Sequence, residues 1–311
     1  MSGIKTVFIT GPTASGKTAL SVRLAKKFGG EIVSADSMQI YKGIHIASAA
    51  PDEGEKCGVP HHMLEFLEPE SEFSVADYTK AARKIIKDIN SRGRLPIVVG
   101  GTGLYINALA DNTVFITEKA DGTLRDRLEK RFDSIGGAAM LKELEAVDSA
   151  SAAKLHPNDR KRIVRALEVY SLTGETKTRQ NELSKTGEKI INPLFIGITY
   201  KDRQRLYDRI NLRVDKMLEN GLLNEAEAAL NRSGGGAFQA IGHKELAGYI
   251  NGECTLDEAA ERLKMQTRRY AKRQLTWFNK NERIHWLYPD ENADIFAAAA
   301  ALINKFLSEE D

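Results

Sequence analysis

The sequence predicts an α/β protein built on a parallel β-sheet, with a helical segment inserted into it. Short apolar, β-branched runs alternate with segments of helical period, and strands separated by helices pair in parallel through right-handed crossovers. Several of these runs end in glycine, where the chain can turn sharply. Between about residues 120 and 173 the strand pattern disappears, and it returns at 194–199.

The predicted elements follow one another along the first third of the chain. Residues 4–10 (IKTVFIT) are apolar and β-branched, which is typical of a buried parallel strand. Residues 18–28 predict a helix, because a pair of glycines ends the pattern. Two further strands are predicted at 31–35 and 95–99, and the helical spacing of isoleucines predicts a helix at 74–90 between them.

This order predicts two domains. Residues 1–115 and 190–311 would form the sheet core, with only helices after its last strand. Residues 116–189 would form a helical insertion domain, since segments such as 122–133 are charged and helical in period. The glycine-rich residues 233–236 predict a mobile loop.

Composition narrows the kind of protein. No apolar run approaches the roughly 20 residues that span a bilayer, and the N-terminal stretch lacks a signal-peptide pattern, so we expect no membrane association and a cytoplasmic location. Cys57 and Cys254 lack metal-ligand spacing, which indicates two free thiols. The net charge is only +2, but segment 262–283 carries eight basic residues against one acid, Glu282. Such a local excess can contact phosphates.

Residues 11–18, GPTASGKT, match the phosphate-binding pattern G-x-x-x-x-G-K-[ST]. Its glycines let backbone N–H groups point at phosphate oxygens, Lys17 reaches a terminal phosphate, and the Thr18 hydroxyl can join a magnesium shell. A strand before the loop and a helix after it provide the required context. The motif predicts a P-loop nucleoside-triphosphate-hydrolase-like sheet and a di- or triphosphate ligand. It leaves open whether the phosphate is transferred or departs.

Two more loops follow predicted strands, at the edge where open α/β sheets bind ligands. In SADSMQIY (34–41), Asp36 is a magnesium ligand, a general base or the N-cap of a following helix. In GGTGLY (100–105), Thr102 would project over the same site, and the glycines are also explained by a tight turn. The strand before them lacks the terminal acid that holds the metal in typical P-loop enzymes, which leaves Asp36 as the best acidic candidate.

A basic amphipathic helix is predicted near the C-terminal end. Its basic face holds Arg268, Arg269, Lys272 and Arg273, and its apolar face holds Tyr270, Ala271, Leu275, Trp277 and Phe278. A solvated surface explains such a stripe alone, but its occurrence with RKRIVR at 160–165 favours RNA. We expect Trp277 and Phe278 in the core, and a loop or packing role for His61 and His62.

These segments together resemble the tRNA dimethylallyltransferase family. The phosphate loop alone is unspecific, but its combination with DSMQ, GGTGLY and KRQLTWF is highly specific. The matching segments run in order over nearly the whole chain: GPTASGKT (11–18), SADSMQIYKGIHI (34–46), VPHH (59–62), FSVADY (73–78), VVGGTGLY (98–105), HPNDRKRIVRALEVYSLTG (156–174), LYDRINLRVDKMLENGLLNE (206–225), QAIGHKEL (239–246) and TRRYAKRQLTWF (267–278).

The resemblance implies transfer of a dimethylallyl group from dimethylallyl diphosphate to the N6 amine of the adenosine next to the anticodon, on its 3′ side. It also implies a Mg²⁺ cofactor, a monomer, and an insertion that grips the anticodon stem-loop of tRNA. A small-molecule or nucleoside kinase is the main alternative, but it does not explain the basic helices or the insertion. A non-catalytic RNA-binding protein would leave Asp36 without a role.

At the matching positions, the resemblance makes Asp36 the general base, and we expect Lys17, Thr18 and Thr102 to take part in catalysis. The expected diphosphate site is the phosphate loop, with an arginine of DRINLRV that we take to be Arg209 rather than Arg213. Its loop residues are Gly11, Pro12, Thr13, Ala14, Ser15, Gly16, Lys17 and Thr18. The expected tRNA contacts, including two from the basic stripe, are Asp36, Ser37, Met38, Gln39, Thr102, Arg125, Lys161, Arg162, Ile163, Val164, Arg165, Arg268 and Lys272.

Two positions depart from the family's pattern. Family members commonly read G-T-A-K-P where this chain has ASAAP at 47–51, so a basic contact to tRNA or substrate is missing. His243 stands where a tyrosine is usual. Because histidine can also stack on a base, we expect that change to be mild.

Overall fold

The computed structural model describes residues 3–115, 122–184, 187–231, 237 and 240–309. The chain divides into two compact units: Met1–Ala110 together with Lys189–Asp311, and Asp111–Glu188. The loop predicted to be mobile, at 233–236, lies outside the described residues.

The described part of the first unit contains a six-stranded sheet. Its strands are β1 (Ile4–Thr10), β2 (Glu31–Ser34), β3 (His61–His62), β4 (Pro96–Gly100), β5 (Ile191–Ile198) and β6 (Ile284–Leu287). They lie in the order β3-β2-β4-β1-β5-β6, and every neighbouring pair is parallel. The predicted parallel α/β class is therefore confirmed. β3 was not predicted, because two residues show no periodic pattern. The expectation that only helices follow β5 is wrong, since β6 lies between α14 and α15.

Helices form the rest of the regular structure. In chain order they are α1 (Lys17–Phe28), α2 (His45–Ser48), α3 (Glu53–Lys56), α4 (Val75–Ser91), α5 (Gly103–Ala110), α6 (Gly122–Ile135), α7 (Gly137–Val147), α8 (Ser149–Ala152), α9 (Arg160–Thr173), α10 (Lys177–Leu183), α11 (Arg203–Glu219), α12 (Leu222–Leu230), α13 (His243–Ile250), α14 (Leu256–Phe278) and α15 (Ile295–Ser308). None of these helices is long and apolar enough to cross a membrane.

The sheet has a hydrophobic core on each face. Successive side chains of a strand point to opposite faces, so Val7 and Ile9 of β1 pack in one cluster with residues of α1 and α15. Phe8, between them, packs in a second cluster with residues of α4 and α5. Ser74 begins α4 with a capping box to Asp77, which places that helix boundary one residue from the predicted one. This layering holds the carboxyl ends of β1, β2 and β4 at one edge.

The described part of the second unit is helical, from α6 to α10. Its own core contains Met140, Leu144, Ile163 and Val164, all at most 3% exposed. The apolar positions of α9 recur at helical spacing and alternate with exposed basic residues. A separate core explains why this stretch showed helical period without any strand pattern.

Candidate active site

The phosphate loop runs from the end of β1 to the first residue of α1. Gly16 caps α1 with a φ of 98°, a left-handed conformation that favours glycine. A side chain at Gly11 would collide with the carbonyl oxygen of Ile198 on β5. Lys17 folds back over the loop, and its Nζ donates to the Pro12 carbonyl at 2.6 Å. The strand, the glycine-containing turn and the helix that the motif requires are therefore present.

A cavity of about 260 Å³ lies beside this loop. It is lined by residues from the carboxyl ends of the strands and by one face of α11 and α14. The sequence-predicted residues that it brings together are Thr13, Lys17, Thr18, Asp36, Ser37, Met38 and Gln39. Arg213, Thr267, Tyr270 and Gln274 complete the polar wall, while Ile32, Leu64, Val99, Val214, Met217 and Leu263 are among its apolar residues.

Asp36 follows β2 and lines the cavity. Its Oδ1 accepts a hydrogen bond from the Met38 N–H at 2.9 Å. The next residues form turns, and α2 begins only at His45, which excludes the alternative that Asp36 caps a following helix. Burial raises the pKa of this carboxyl, although the Met38 N–H and the Lys17 ammonium act in the opposite direction. A raised pKa makes the carboxylate a better proton acceptor.

Two cations face the same cavity. Burial and the charge of Arg213 lower the pKa of Lys17 to about 7, against the opposing effect of Asp36. Burial likewise lowers the pKa of Arg213. Cations whose pKa is lowered by burial are stabilised in their charged form by an anionic ligand. The cavity is thus suited to a diphosphate.

Arg209 and Arg213 lie one helical turn apart on α11 but have different environments. Arg209 donates from Nε to the Ala14 carbonyl at 2.9 Å and lies 5.5 Å from the Tyr200 ring centroid. It therefore braces the phosphate loop from outside, whereas Arg213 lines the cavity. We expected Arg209 at the diphosphate site, but the structure places Arg213 in the cavity, a difference that their shared helix face does not reveal.

Gln274 joins the phosphate loop to the loop after β4. Its Oε1 accepts from the Thr13 N–H at 2.9 Å, and its Nε2 donates to the Gly101 carbonyl at 3.0 Å. A side chain at Gly101 would collide with this amide, so close packing explains that glycine better than a turn alone. Sequence analysis overlooked Gln274. The one sequence feature that could have identified it is its position, as an uncharged amide between the basic and apolar faces of α14.

Thr102 lies next to the cavity without being among its lining residues. Its hydroxyl accepts from the Ser37 N–H at 3.0 Å, and its own N–H donates to the Ala35 carbonyl at 3.1 Å. It therefore ties the two loops that follow β2 and β4. We expected it to project over the site, whereas the structure places it behind Ser37.

The two neighbouring histidines also differ. His62 lies 2.8 Å from Glu31 through its Nε2, which confirms a packing role. His61 lines the cavity, so a role confined to loop packing is too narrow for it. Its Nδ1 donates to the Val59 carbonyl at 2.8 Å, and burial lowers its pKa.

Only part of the basic face of α14 is exposed to solvent. Arg268 is half-buried and donates to the Asn211 Oδ1 at 2.6 Å, whereas Lys272 is exposed. Phe278 lies in the core as predicted. Trp277 does not, because it is 40% exposed where its ring packs against Gly103.

The two departures from the family pattern are both buried. Ala50 occupies the place of the usual lysine and is 6% exposed. His243 has no exposed surface, and its Nε2 lies 3.2 Å from the Glu225 carboxylate. The expectation that His243 stacks on a base is therefore wrong, since its ring cannot reach one.

In the second unit, the expected RNA-contact residues divide by burial. Ile163 and Val164 pack in the core, so only Lys161, Arg162 and Arg165 of that run present side chains to solvent. The expectation is corrected for the two apolar residues. Arg125 and Arg165 both contact the buried carboxylate of Glu168, at 3.0 and 2.7 Å.

The described residues contain no group of three His, Cys, Asp or Glu side chains that could hold a metal. Cys57 and Cys254 are free thiols, as predicted. Mg²⁺ does not require such a group, because it usually keeps several waters and binds through substrate phosphates and one or two protein oxygens. Thr18 and Asp36 supply such oxygens in the cavity, so the residues present fit a metal that is bound together with a diphosphate.

Comparisons with known proteins agree with this geometry. The model of the IPP transferase family matches residues 39–281. A tRNA dimethylallyltransferase of Caldanaerobacter subterraneus is 47% identical over 93% of this chain and 93% of its own. One from Acetivibrio thermocellus is 48% identical over 91% of each chain.

Solved structures agree as well. A tRNA isopentenylpyrophosphate transferase from Bacillus halodurans has a TM-score of 0.69 at 41% identity and covers 97% of each chain. A eukaryotic dimethylallyltransferase described as acting on tRNA has a TM-score of 0.85 at 32% identity, covering 99% of this chain and 81% of that one. Because the family model matches residues 39–281 and these relatives cover more than nine tenths of the chain, the chain belongs to the IPP transferase family.

Proposed function

We propose that this chain transfers a dimethylallyl group from dimethylallyl diphosphate to the N6 amine of the adenosine that follows the anticodon in tRNA, and releases diphosphate. The observation that carries the proposal is the placement of the Asp36 carboxylate in the same cavity as Lys17 and Thr18. A proton acceptor is thereby held beside a diphosphate site. Transferases of the same family bear names that describe this activity.

The chemistry follows from these positions. As the bond between the allylic carbon and the diphosphate oxygen breaks, negative charge grows on the leaving group and positive charge on the allyl group. Lys17, Arg213 and the N–H groups of the phosphate loop stabilise the first charge. The adenine nitrogen forms the new bond to carbon, and Asp36 takes the proton that the amine loses. A positioned base contributes about 10²–10⁴-fold to such a step.

Mg²⁺ is part of the proposal. Thr18, together with oxygens of the diphosphate, would hold the ion, and Asp36 offers a further oxygen. When bound, Mg²⁺ supplies charge neutralisation at the leaving diphosphate. Lys17 and Arg213 orient the same group from the protein side.

We further propose that tRNA contacts both units. In the first unit the proposed contacts are residues 36–39, Thr102, and the exposed basic side chains of α14. In the second unit Lys161, Arg162 and Arg165 are exposed at the start of α9, and helix starts and arginines both favour phosphates. The insertion would grip the anticodon stem-loop, and the enzyme would act in the cytoplasm as a monomer.

The first experiment supplies allyl-labelled dimethylallyl diphosphate and Mg²⁺ with unmodified tRNA, and separately with AMP. Label in tRNA alone supports the proposal. Label in AMP would keep the chemistry but change the acceptor. Label in neither, with consumption of ATP on a small acceptor, would favour a kinase and overturn the proposal.

A further inference from the structure

Glu225 on α12 makes three hydrogen bonds that join separate elements of the first unit. Its Oε2 accepts from the Ile46 N–H at 2.8 Å, and its Oε1 accepts from the Ala47 N–H at 2.9 Å. The same Oε1 lies 3.2 Å from Nε2 of His243, the first residue of α13. The Glu225 side chain is 10% exposed and that of His243 is fully buried.

The bonds to α2 replace a cap that the local sequence lacks. The first N–H groups of a helix have no partner within it and are usually bonded by a Ser, Thr, Asp or Asn side chain at the N-cap. Here the N-cap is Ile44, which cannot accept a hydrogen bond through its side chain. Glu225 supplies that acceptor from a distant part of the chain, so α2 depends on it for its position.

The position of α2 matters because the end of this helix contacts the loop that carries the proposed base. Ala47, Ser48 and Ala49 line the cavity. The Ala49 carbonyl accepts from the Gln39 amide at 3.1 Å, and the other end of that amide accepts from the Ser34 hydroxyl at 2.8 Å. Gln39 thereby fixes the loop that carries Asp36.

His243 completes the arrangement. A carboxylate only accepts, so Nε2 must be the donating nitrogen of the ring. Its other nitrogen, Nδ1, is buried without a hydrogen-bond partner. The ring therefore donates to the Glu225 carboxylate and makes no second hydrogen bond among the described residues.

We propose that Glu225 is a positioning residue for the transfer reaction, an inference that rests on the proposed function. It holds α2, and through Gln39 it holds the Asp36 loop at the geometry that proton removal requires. His243 supplies the hydrogen bond that keeps the buried carboxylate in place. Neither residue touches the substrates.

The test compares Glu225→Ala and Glu225→Gln with Glu227→Gln, an exposed charge on the same helix. We expect the single-turnover transfer rate at saturating donor to fall about 10–100-fold for Glu225→Ala, since misplacement of about 1 Å can cost that much. Glu225→Gln keeps the volume and should lose less. tRNA affinity should fall less than the transfer rate, because the basic side chains of α14 and α9 keep their places, and Glu227→Gln should match the wild type in every parameter.

A second pair of variants separates positioning from folding. His243→Tyr retains a donor to the carboxylate, whereas His243→Phe has nearly the same shape without one. We expect the tyrosine variant within about threefold of the wild-type rate and the phenylalanine variant close to Glu225→Ala, because only phenylalanine removes the side-chain donor to the buried carboxylate. Thermal unfolding measured alongside identifies any variant that is not folded.

The route through Gln39 is tested by a double-mutant cycle of Glu225→Ala with Gln39→Ala. Residues that act through one another give a double loss smaller than the product of the single losses. A folded Glu225→Ala enzyme with the wild-type rate, equal rates for the two His243 variants, or multiplicative losses in the cycle would each overturn the proposal. Failure of the proposed function is separately visible, because the wild-type protein would then label no tRNA.

Discussion

The two ends of β2 carry buried carboxylates with opposite surroundings. At the amino end, Glu31 is 3% exposed and is bonded by Arg92 through both oxygens and by His62, and the side-chain hydrogen bond of Arg92 is the main cause that lowers its pKa to about 2. At the carboxyl end, burial raises the pKa of Asp36, and among the described residues no arginine forms such a hydrogen-bonded pair with it.

The difference shows how one strand serves both stability and chemistry. A carboxylate whose charge is fully paired stabilises the fold while it stays ionised. A carboxylate that is buried with weaker compensation costs stability, but it accepts protons more readily. The parallel sheet places the second kind where its loops meet and the first kind at the opposite edge.

The largest expected effect comes from the carboxyl end. Asp36→Asn should lower the transfer rate by about 10²–10⁴-fold, because the proton acceptor is lost while the shape is kept. tRNA affinity should change little, and thermal stability should stay equal or rise, since a desolvated charge is removed. Rate, tRNA binding and thermal unfolding are measured on the same preparation. Retained transfer would exclude Asp36 as the base.

The amino end should respond in the opposite sense. Glu31→Gln should leave the transfer rate nearly unchanged and lower the free energy of unfolding by about 2 kcal/mol. This is less than for a wholly buried pair, because the Arg92 side chain is 41% exposed and can be rehydrated. Glu68→Gln, in the exposed pair with Lys42, is the control and should show no measurable change.

The pH dependence gives a further check on Glu31. Its folded pKa, about 2, lies below its ordinary value of 4.5, so its stabilising effect is complete above pH 4.5 and is lost as the pH falls toward 2. The free energy of unfolding should change more steeply with pH across that window in the wild type than in Glu31→Gln. Equal slopes would show that the pair does not hold in solution.

A smaller effect is expected from Lys17. Its pKa of about 7 lies below its ordinary 10.5, so above pH 7 the free protein must take up a proton to bind an anion with a charged lysine. Inorganic diphosphate should therefore bind more weakly as pH rises, by up to about tenfold per unit, with proton uptake in calorimetry. Lys17→Arg does not titrate and corrects for ionisation of the ligand. The same pKa in both proteins' binding curves would refute the assignment.

The lowered pKa of Lys17 also predicts how the free energy of unfolding changes with pH. Between pH 7 and 10.5 the unfolded chain holds a proton on Lys17 that the folded chain has lost. Stability should therefore rise with pH through this window relative to Lys17→Met, which has no such proton.

The smallest effect extends the comparison to the surface of α14. Lys272 is exposed, whereas Arg268 is committed to Asn211. Lys272→Ala should reduce the slope of log affinity for tRNA against log salt by about one, the value for one phosphate contact. Arg268→Ala should reduce it less. The reverse order would mean that the bond to Asn211 opens when tRNA binds.

Local sequence was sufficient for the parts of this protein that depend on neighbouring residues. The strand–loop–helix from Ile4 to Phe28, the helix at 74–90 and the parallel class of the sheet were all predicted, because periodicity and glycines act over a few residues. The phosphate loop belongs to the same group, since its shape follows from its own glycines and its flanking elements.

Tertiary structure decided which side chains face the cavity and which are used elsewhere. Arg209 and Arg213 share a helix face in the sequence, but only the packing of α11 against the phosphate loop sends one outward and the other inward. Gln274 became part of the site because α14 packs against the loops after β1 and β4. His243 turned from an expected base-stacking residue into a buried partner of Glu225, since burial depends on the approach of α12, which no local pattern encodes. Contacts between residues far apart in the chain set the burial that shifts the pKa of Asp36 and Lys17, and they bring Arg92 to Glu31, where its hydrogen bond lowers the pKa of that carboxyl.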